Sequence, residues 1–412
     1  MSLYQRPQLA STCGVVVAVT AVSCAAWRGV DSVTSRWASD RRIVAVPVGA
    51  VVQWPALSAK GDTVYVTGNV MRPDGARPPS FVIARIPGDT IPTPSGASAF
   101  AFPHTAVDRA GRLHLVWGET DSDSSRTLDV MRPITAIWHA VYAGGQWSTP
   151  TRLSGGLKFF WSAAEQGLAA DSAGSIHVVI SGADSLGRHS TVYHRWTNGT
   201  WQSERVAGMS FSSSILALPG DSLVILFTGP LEGDSSHVWL QVIRNRRGGG
   251  PWTAPRAIAR LSDVLRLRPQ LAAVGQTLHV FASDAGTFLP DSASLQHWTS
   301  TDGGTTWVIG RRAPLPPGTI RITPLVNACN VSVITESLRP SDAAFIPTVF
   351  EVRLDPSGHA STIPIGAFQG SAHPGALATA TTLRVALTVI QSDTSMPRAL
   401  LASRASCGVV PR

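Results

Sequence analysis

Short apolar strands, each followed by a tight polar hairpin and a second β-rich strand, recur along the whole chain. The pattern appears as Leu57 to Val66, Thr105 to Val116, Leu168 to Val179, Leu216 to Phe227, Leu271 to Phe281, Val326 to Ile334 and Ala376 to Leu387. Runs of this length and alternation, bounded by Gly, Asp, Asn and Ser, predict half-buried strands. Taking Val64, Leu113, Ile176, Leu223, Leu278, Val331 and Leu383 as markers, the steps are 49, 63, 47, 55, 53 and 52 residues. Self-similarity at a period of about fifty residues, in strand-type sequence, predicts the four-stranded blades of a β-propeller.

The second half of the unit repeats as well. A third strand ends in a glycine-containing turn and a tryptophan, at Gly144-Gly145-Gln146-Trp147, Asn198-Gly199-Thr200-Trp201, Gly249-Gly250-Pro251-Trp252 and Gly304-Thr305-Thr306-Trp307. Glycine supplies the positive φ of a tight hairpin, and the large ring can wedge between neighbouring blades. The last unit stops after its third strand, near Leu401, and Arg42 to Val48 reads as the missing fourth. A strand from the N-terminus that completes the final blade closes the ring and removes exposed edges. The expectation is an all-β fold of seven four-stranded blades, with six as the fallback if the Val326 unit is degenerate or merged.

Composition agrees with an all-β chain: 37 Gly, 29 Pro and 13 Trp, with few helix formers. The net charge is +8, and every cation except Lys60 and Lys158 is arginine. These arginines are scattered singly, which argues against a nucleic-acid footprint. Residues 1–26 form a different class of sequence. Arg6 precedes the apolar run Gly14 to Val22 and the small residues Ser23-Cys24-Ala25-Ala26. That order reads as a signal peptide. Ala21-Val22-Ser23-Cys24 also fits a lipoprotein leader, and the run alone fits a single membrane anchor; each option predicts an extracytoplasmic protein. Residues 27–40 read as a linker and 41–412 as one propeller domain, expected to be a monomer. Outside the leader only Cys329 and Cys407 remain, which in an oxidising compartment invites a disulfide.

Ser300-Thr301-Asp302-Gly303-Gly304-Thr305-Thr306-Trp307 matches the pattern Ser-x-Asp-x-Gly-x-Thr-Trp at every defined position. The segment resembles the Asp-box, the bacterial neuraminidase repeat of sialidase-like propellers. The resemblance implies that Ser300, Asp302, Gly304 and Trp307 build a hairpin on the face opposite the ligand site, with Asp302 as a turn cap. The sialidase catalytic set does not carry over. Arg85-Ile86-Pro87 echoes the family's Arg-Ile-Pro but falls on an outer strand. Tyr65, Tyr142 and Tyr193 all fall where a tyrosine nucleophile would not.

In a propeller the innermost strand of each blade starts on the face that usually binds ligands. Trp54, Phe102, Glu165, Ser213, Arg268, Thr323 and His373 occupy equivalent positions just before that strand, and the loops after the second strands carry Glu119, Asp121, Asp123, Asp184, Asp284, Glu336 and Asp393. Aromatics for sugar stacking, an arginine for an anion and several carboxylates would meet there. Trp54, Phe102, Glu165, Arg268, His373, Glu119, Asp184 and Asp284 are the candidate ligand-binding set. Glu165 with Asp184 or Glu119 could form a hydrolytic carboxylate pair if their separation allows. His114, His177 and His279 recur at one place in the repeat; spread around a ring, they read as packing or hydrogen-bonding positions. No metal or cofactor is expected, and Asp121-Ser122-Asp123 lacks the rest of a calcium loop. The favoured reading is an exported, non-catalytic propeller that binds a glycan or peptide at its channel mouth, with carbohydrate suggested by the resemblance. A glycoside hydrolase working through a carboxylate pair and an envelope interaction scaffold are the alternatives.

Overall fold

The computed structural model describes Trp37 and residues 42–44, 51–71, 80–95, 103–120, 134–153, 155–162, 167–208, 210, 212–245, 250–261, 269–283, 293–328, 330–340, 345–355, 359–367, 375–378, 382–390 and 397–405. Antiparallel strands account for nearly all of them, gathered into six hydrogen-bonded sheets of a β-propeller. Four sheets are simple up-and-down meanders starting at Val51–Lys60, Ser212–Leu218, Gln270–Val274 and Thr319–Asn327. The closing sheet starts at Gly375–Ala378 and takes its fourth strand from the other end of the chain. There Arg42–Val44 pairs with Pro397–Ala405, Ile43 opposite Leu400. The N-terminal closure read from the sequence is therefore present over these three residues.

Six sheets stand where the markers predicted seven, so the fallback count fits, although the merger is not at Val326. The Thr319–Asn327 unit is a complete four-stranded sheet. Instead the Leu113 and Ile176 markers share one ten-stranded sheet, because Phe159–Ser162 pairs on one side with Ile134–Ala143 and on the other with Ile176–Ala183. This bridging strand occupies the longest of the marker steps, where the sequence has residues to spare.

The first strands touch one another in turn. Val51–Lys60 contacts His104–Val107, which contacts Leu168–Ala170; Ser212–Leu218, Gln270–Val274, Thr319–Asn327 and Gly375–Ala378 follow, and the last returns to Val51–Lys60. Each gap between successive units is filled by apolar side chains from both. Val116, Ile134 and Ile137 meet Ile176, Ile180 and Val192 face to face, although all six belong to the ten-stranded sheet.

The turn tryptophans are the wedges. Trp201, Trp252 and Trp307 each pack against the apolar cluster of one gap, and Trp201 meets His139 edge to face at 4.8 Å. Tyr193 and Trp252 meet edge to face at 5.0 Å. Turn chemistry agrees with the sequence: Asn198 and Gly199, at φ 51° and 88°, close the two-residue hairpin between Thr197 and Thr200. One aromatic is placed differently from its reading. Trp37, expected in the linker, is buried among Leu325, Ile334, Val349, Leu383 and Val385.

Candidate functional site at the channel mouth

Strand register defines two ends of the ring. Ser212 pairs with Thr228 and Val51 with Met71, so each first strand begins where its second strand finishes; that end is the mouth. At the other end lie the first hairpin of each unit and the turn between third and fourth strands. Leu278 pairs with Ser300, which puts the 300–307 turn at this second end.

That turn is held as a capped hairpin. Thr305 and Thr306 donate their backbone N–H groups to Asp302 Oδ1 at 2.9 Å, Thr306 Oγ1 and Ser300 Oγ donate to the same carboxylate at 2.7 Å, and Gly304 N donates to Ser300 Oγ. The Thr306 amide and hydroxyl, with Ser300, hold the Asp302 carboxyl below the ordinary carboxylate range. Arg244 of the preceding unit donates to the Asp302 carbonyl and to Thr305 Oγ1, locking the turn to its neighbour.

The recurrent histidines also sit at this second end and carry structure. His177 Nε2 lies 3.0 Å from Asp171 Oδ2 and its Nδ1 lies 2.8 Å from the Tyr193 hydroxyl. His114 repeats this with Asp108, and its Nδ1 faces His139 Nε2 at 3.0 Å. Each aspartate also caps its own turn, accepting the amide of Arg112 or Ser175. His279 lacks the aspartate and pairs with His297 at 3.1 Å. Burial pushes His114, His279 and His297 down to about 4, and His139 to about 3.

At the mouth, the sequence candidates divide. Phe102, Glu165, Arg268, His373, Asp284, Asp121, Asp123 and Asp393 lie outside the described residues, as do Cys329 and Cys407. Trp54 lies within Val51–Lys60 at a register shift between Gln53 and Ala56, rather than before the strand. Glu119 ends the second strand Leu113–Thr120, half-buried, with Trp138 Nε1 donating to its Oε2 at 2.6 Å. Asp184 caps its own loop: the amides of Leu186 and Arg188 donate to Oδ1, and Arg188 Nε to Oδ2 at 2.8 Å. These bonds, the Arg188 amide first, hold its carboxyl low. Both carboxylates are thus engaged by neighbouring donors.

Three further placements change. Glu336, expected in a loop, is a buried residue of Asn330–Pro340, directly across from Arg321. Thr323 lies inside Thr319–Asn327, because the Pro316–Thr319 turn starts that strand earlier. Ser213 lies inside Ser212–Leu218 and accepts a hydrogen bond from Ser181 Oγ at 2.8 Å, and Ser181 also bonds to Thr191 and Ser210, forming a hydroxyl cluster between two units. In each case the strand runs further toward the mouth than polar sequence suggested.

One mouth feature had not been singled out from sequence. The hairpin joining Ser222–Leu231 to Asp234–Asn245 extends past Thr228, the partner of Ser212. Its Asp234 carboxylate collects Ser236 Oγ at 2.8 Å, His237 Nδ1 at 2.9 Å and Trp239 Nε1 at 3.0 Å. These donors, Ser236 first, hold Asp234 well below the usual carboxylate range. The signal was there as Gly233-Asp234-Ser235-Ser236-His237-Val238-Trp239, but it occurs once and carries no repeat.

The chain matches no protein-family model and no curated protein. Among solved structures it is similar to the polysaccharide lyase Uly1, with a TM-score of 0.54 and 11% identity over 85% of this chain and 89% of that one. It is also similar to a PL25 ulvan lyase, with a TM-score of 0.51 and 14% identity over 90% and 96%. The endosialidase of phage phi92 aligns with a TM-score of 0.50 and 11% identity over 90% of this chain and 70% of that one. At these identities the likeness is one of fold.

Proposed function

We propose that the protein binds a glycan at the mouth of its channel and does not cleave it. The observation that carries this reading is the near full-length likeness to polysaccharide lyases, one of them solved with a bound -[GlcA(1-4)Rha3S]- unit. Fold by itself does not assign chemistry, so the mouth as the place of binding is part of the proposal. The net charge of +8 favours an acidic chain over a neutral one. Against hydrolysis stand Glu119 and Asp184, whose carboxylates serve Trp138 and the Arg188 turn.

The finer reading is a ring of seven modules, the ten-stranded sheet being two of them bridged by Phe159–Ser162. It is supported by seven first strands in mutual contact and by the apolar layer between the two halves of that sheet. Sialidase-like ancestry rests on the Ser300–Trp307 turn, and export on the leader-like residues 1–26. Trp54, Arg268 and His373 belong to the proposed ligand ring.

The test is a glycan array on the purified protein, run beside a turnover assay on acidic polysaccharides and aryl glycosides. Binding without product supports the reading. Product release lost in Glu119→Gln would replace it with a hydrolase, and silence in both would favour the interaction scaffold.

A further inference from the structure

Two kinds of aspartate–histidine pair within hydrogen-bond distance occur among the described residues, and they differ in one nitrogen; the Asp355–His359 pair, at 3.7 Å and largely exposed, is looser than either. In the buried pairs both ring nitrogens are used: His177 between Asp171 and Tyr193, and His114 between Asp108 and His139. At the mouth, His237 Nδ1 lies 2.9 and 3.0 Å from the two oxygens of Asp234. An ionised carboxylate only accepts, so Nδ1 carries the proton and the neutral ring keeps its lone pair on Nε2. Nε2 has no hydrogen-bond partner among the described residues, and the His237 side chain is 36% exposed. The hairpin that carries the pair is braced. Gln241, buried, donates through Nε2 to the carbonyls of Gly229 and Pro230 at 3.0 Å, and Trp239 is tied to Asp234.

We propose that His237 Nε2 is a preset hydrogen-bond acceptor for a saccharide hydroxyl at the channel mouth, with Asp234 fixing its tautomer and Trp239 flanking it. The inference rests on the glycan reading and names one of its contacts. An open nitrogen does not by itself exclude packing, since His194 also leaves Nε2 unpaired, but His194 is buried in the sheet whereas the His237 side chain is 36% exposed at the mouth. A neutral acceptor held in one tautomer loses little freedom when a hydroxyl arrives, which is what makes a small polar contact selective.

The test has two arms on the full chain. The first labels the imidazoles with nitrogen-15 and assigns the His237 signals by their loss in His237→Phe. The expected spectrum has Nδ1 protonated and Nε2 bare; an Nε2-protonated ring overturns the proposal without touching the glycan reading. The second titrates wild type, His237→Phe and Asp302→Asn with oligosaccharides of galacturonate, mannuronate and glucose. The expected result is at least about a tenfold loss of affinity in His237→Phe, the worth of one good hydrogen bond, with Asp302→Asn unchanged and all three melting cooperatively. Binding to His237→Phe within twofold of wild type overturns the proposal while the glycan reading stands. No binding of any oligosaccharide to wild type defeats the glycan reading, and the ligand assigned to His237 falls with it.

Discussion

The indole nitrogen of Trp37 donates to the carboxylate of Glu351 at 3.1 Å, joining residues 314 apart in sequence. Glu351 is fully buried and also accepts Ser332 Oγ and the Nε and Nη2 of Arg353, at 3.0–3.1 Å. A buried carboxylate is tolerated only with such compensation. The Trp37 ring meanwhile fills the gap between the Thr319–Asn327 unit and the closing sheet. Trp201, Trp252 and Trp307 fill the equivalent gaps from their own hairpins. The N-terminal segment thus supplies both a strand and a wedge to the seam.

Trp37→Ala removes a fully buried ring and a donor to Glu351 together. It is expected to cost about 3–5 kcal/mol, as large aromatic truncations in cores do. Trp37→Phe keeps most of the packing and loses only the N–H, so its loss should be smaller. Urea unfolding followed by tryptophan fluorescence orders the three proteins.

Gly375 lies against the seam from the other side. A Cβ there would collide with the Pro55 carbonyl oxygen, a backbone atom that cannot swing away. Gly375→Ala should therefore destabilise by about 1–3 kcal/mol, the range for overpacking. Gly199→Ala, at an open turn with nothing near the added atom, would act through its φ alone. Comparing the two melting curves separates collision from backbone strain.

Acid should loosen the fold through its histidines. His114, His194, His279 and His297 titrate at about 4 because burial disfavours the imidazolium, against 6.5 for an exposed ring. As pH falls below 6.5 the unfolded chain takes up protons that the folded chain refuses. The contribution is complete above that value and is lost progressively down to about 4. Urea midpoints should fall between pH 7.5 and pH 4.5. The double variant His279→Leu with His297→Leu should show a shallower dependence, whatever its stability at neutral pH.

Asp302→Asn tests whether the capped turn is structural. The loss of a carboxylate that gathers four donor contacts from its own turn should lower the melting temperature and expose the Thr305 and Thr306 amides to hydrogen exchange. Glycan affinity should not change, since the turn stands at the end away from the mouth.

Local chemistry was the legible part of this chain. Asp302 could be read as a cap because the turn's spacing dictates the bonds, and Arg42 to Val44 as the closing strand because the last unit visibly lacked one. Trp37 could not be placed, since nothing within thirty residues of it states that a gap three hundred residues away needs filling. The Phe159–Ser162 bridge was hidden for the same reason: it is a property of two units meeting, not of either. Glu336 was misplaced because a polar residue near a strand end reads as loop when its buried partners are not in view. The Asp234–His237 pair escaped notice because repeats draw attention to what recurs, while a ligand contact needs to occur only once.

Hydrogen–deuterium exchange on the protein with and without its tightest array glycan tests the mouth most directly. Binding there predicts slowed exchange in the 184–188 and 229–239 hairpins, with the 108–111, 171–174 and 302–306 turns at the other end unchanged. Protection confined to those second-end turns, or spread evenly over outer strands, would contradict it.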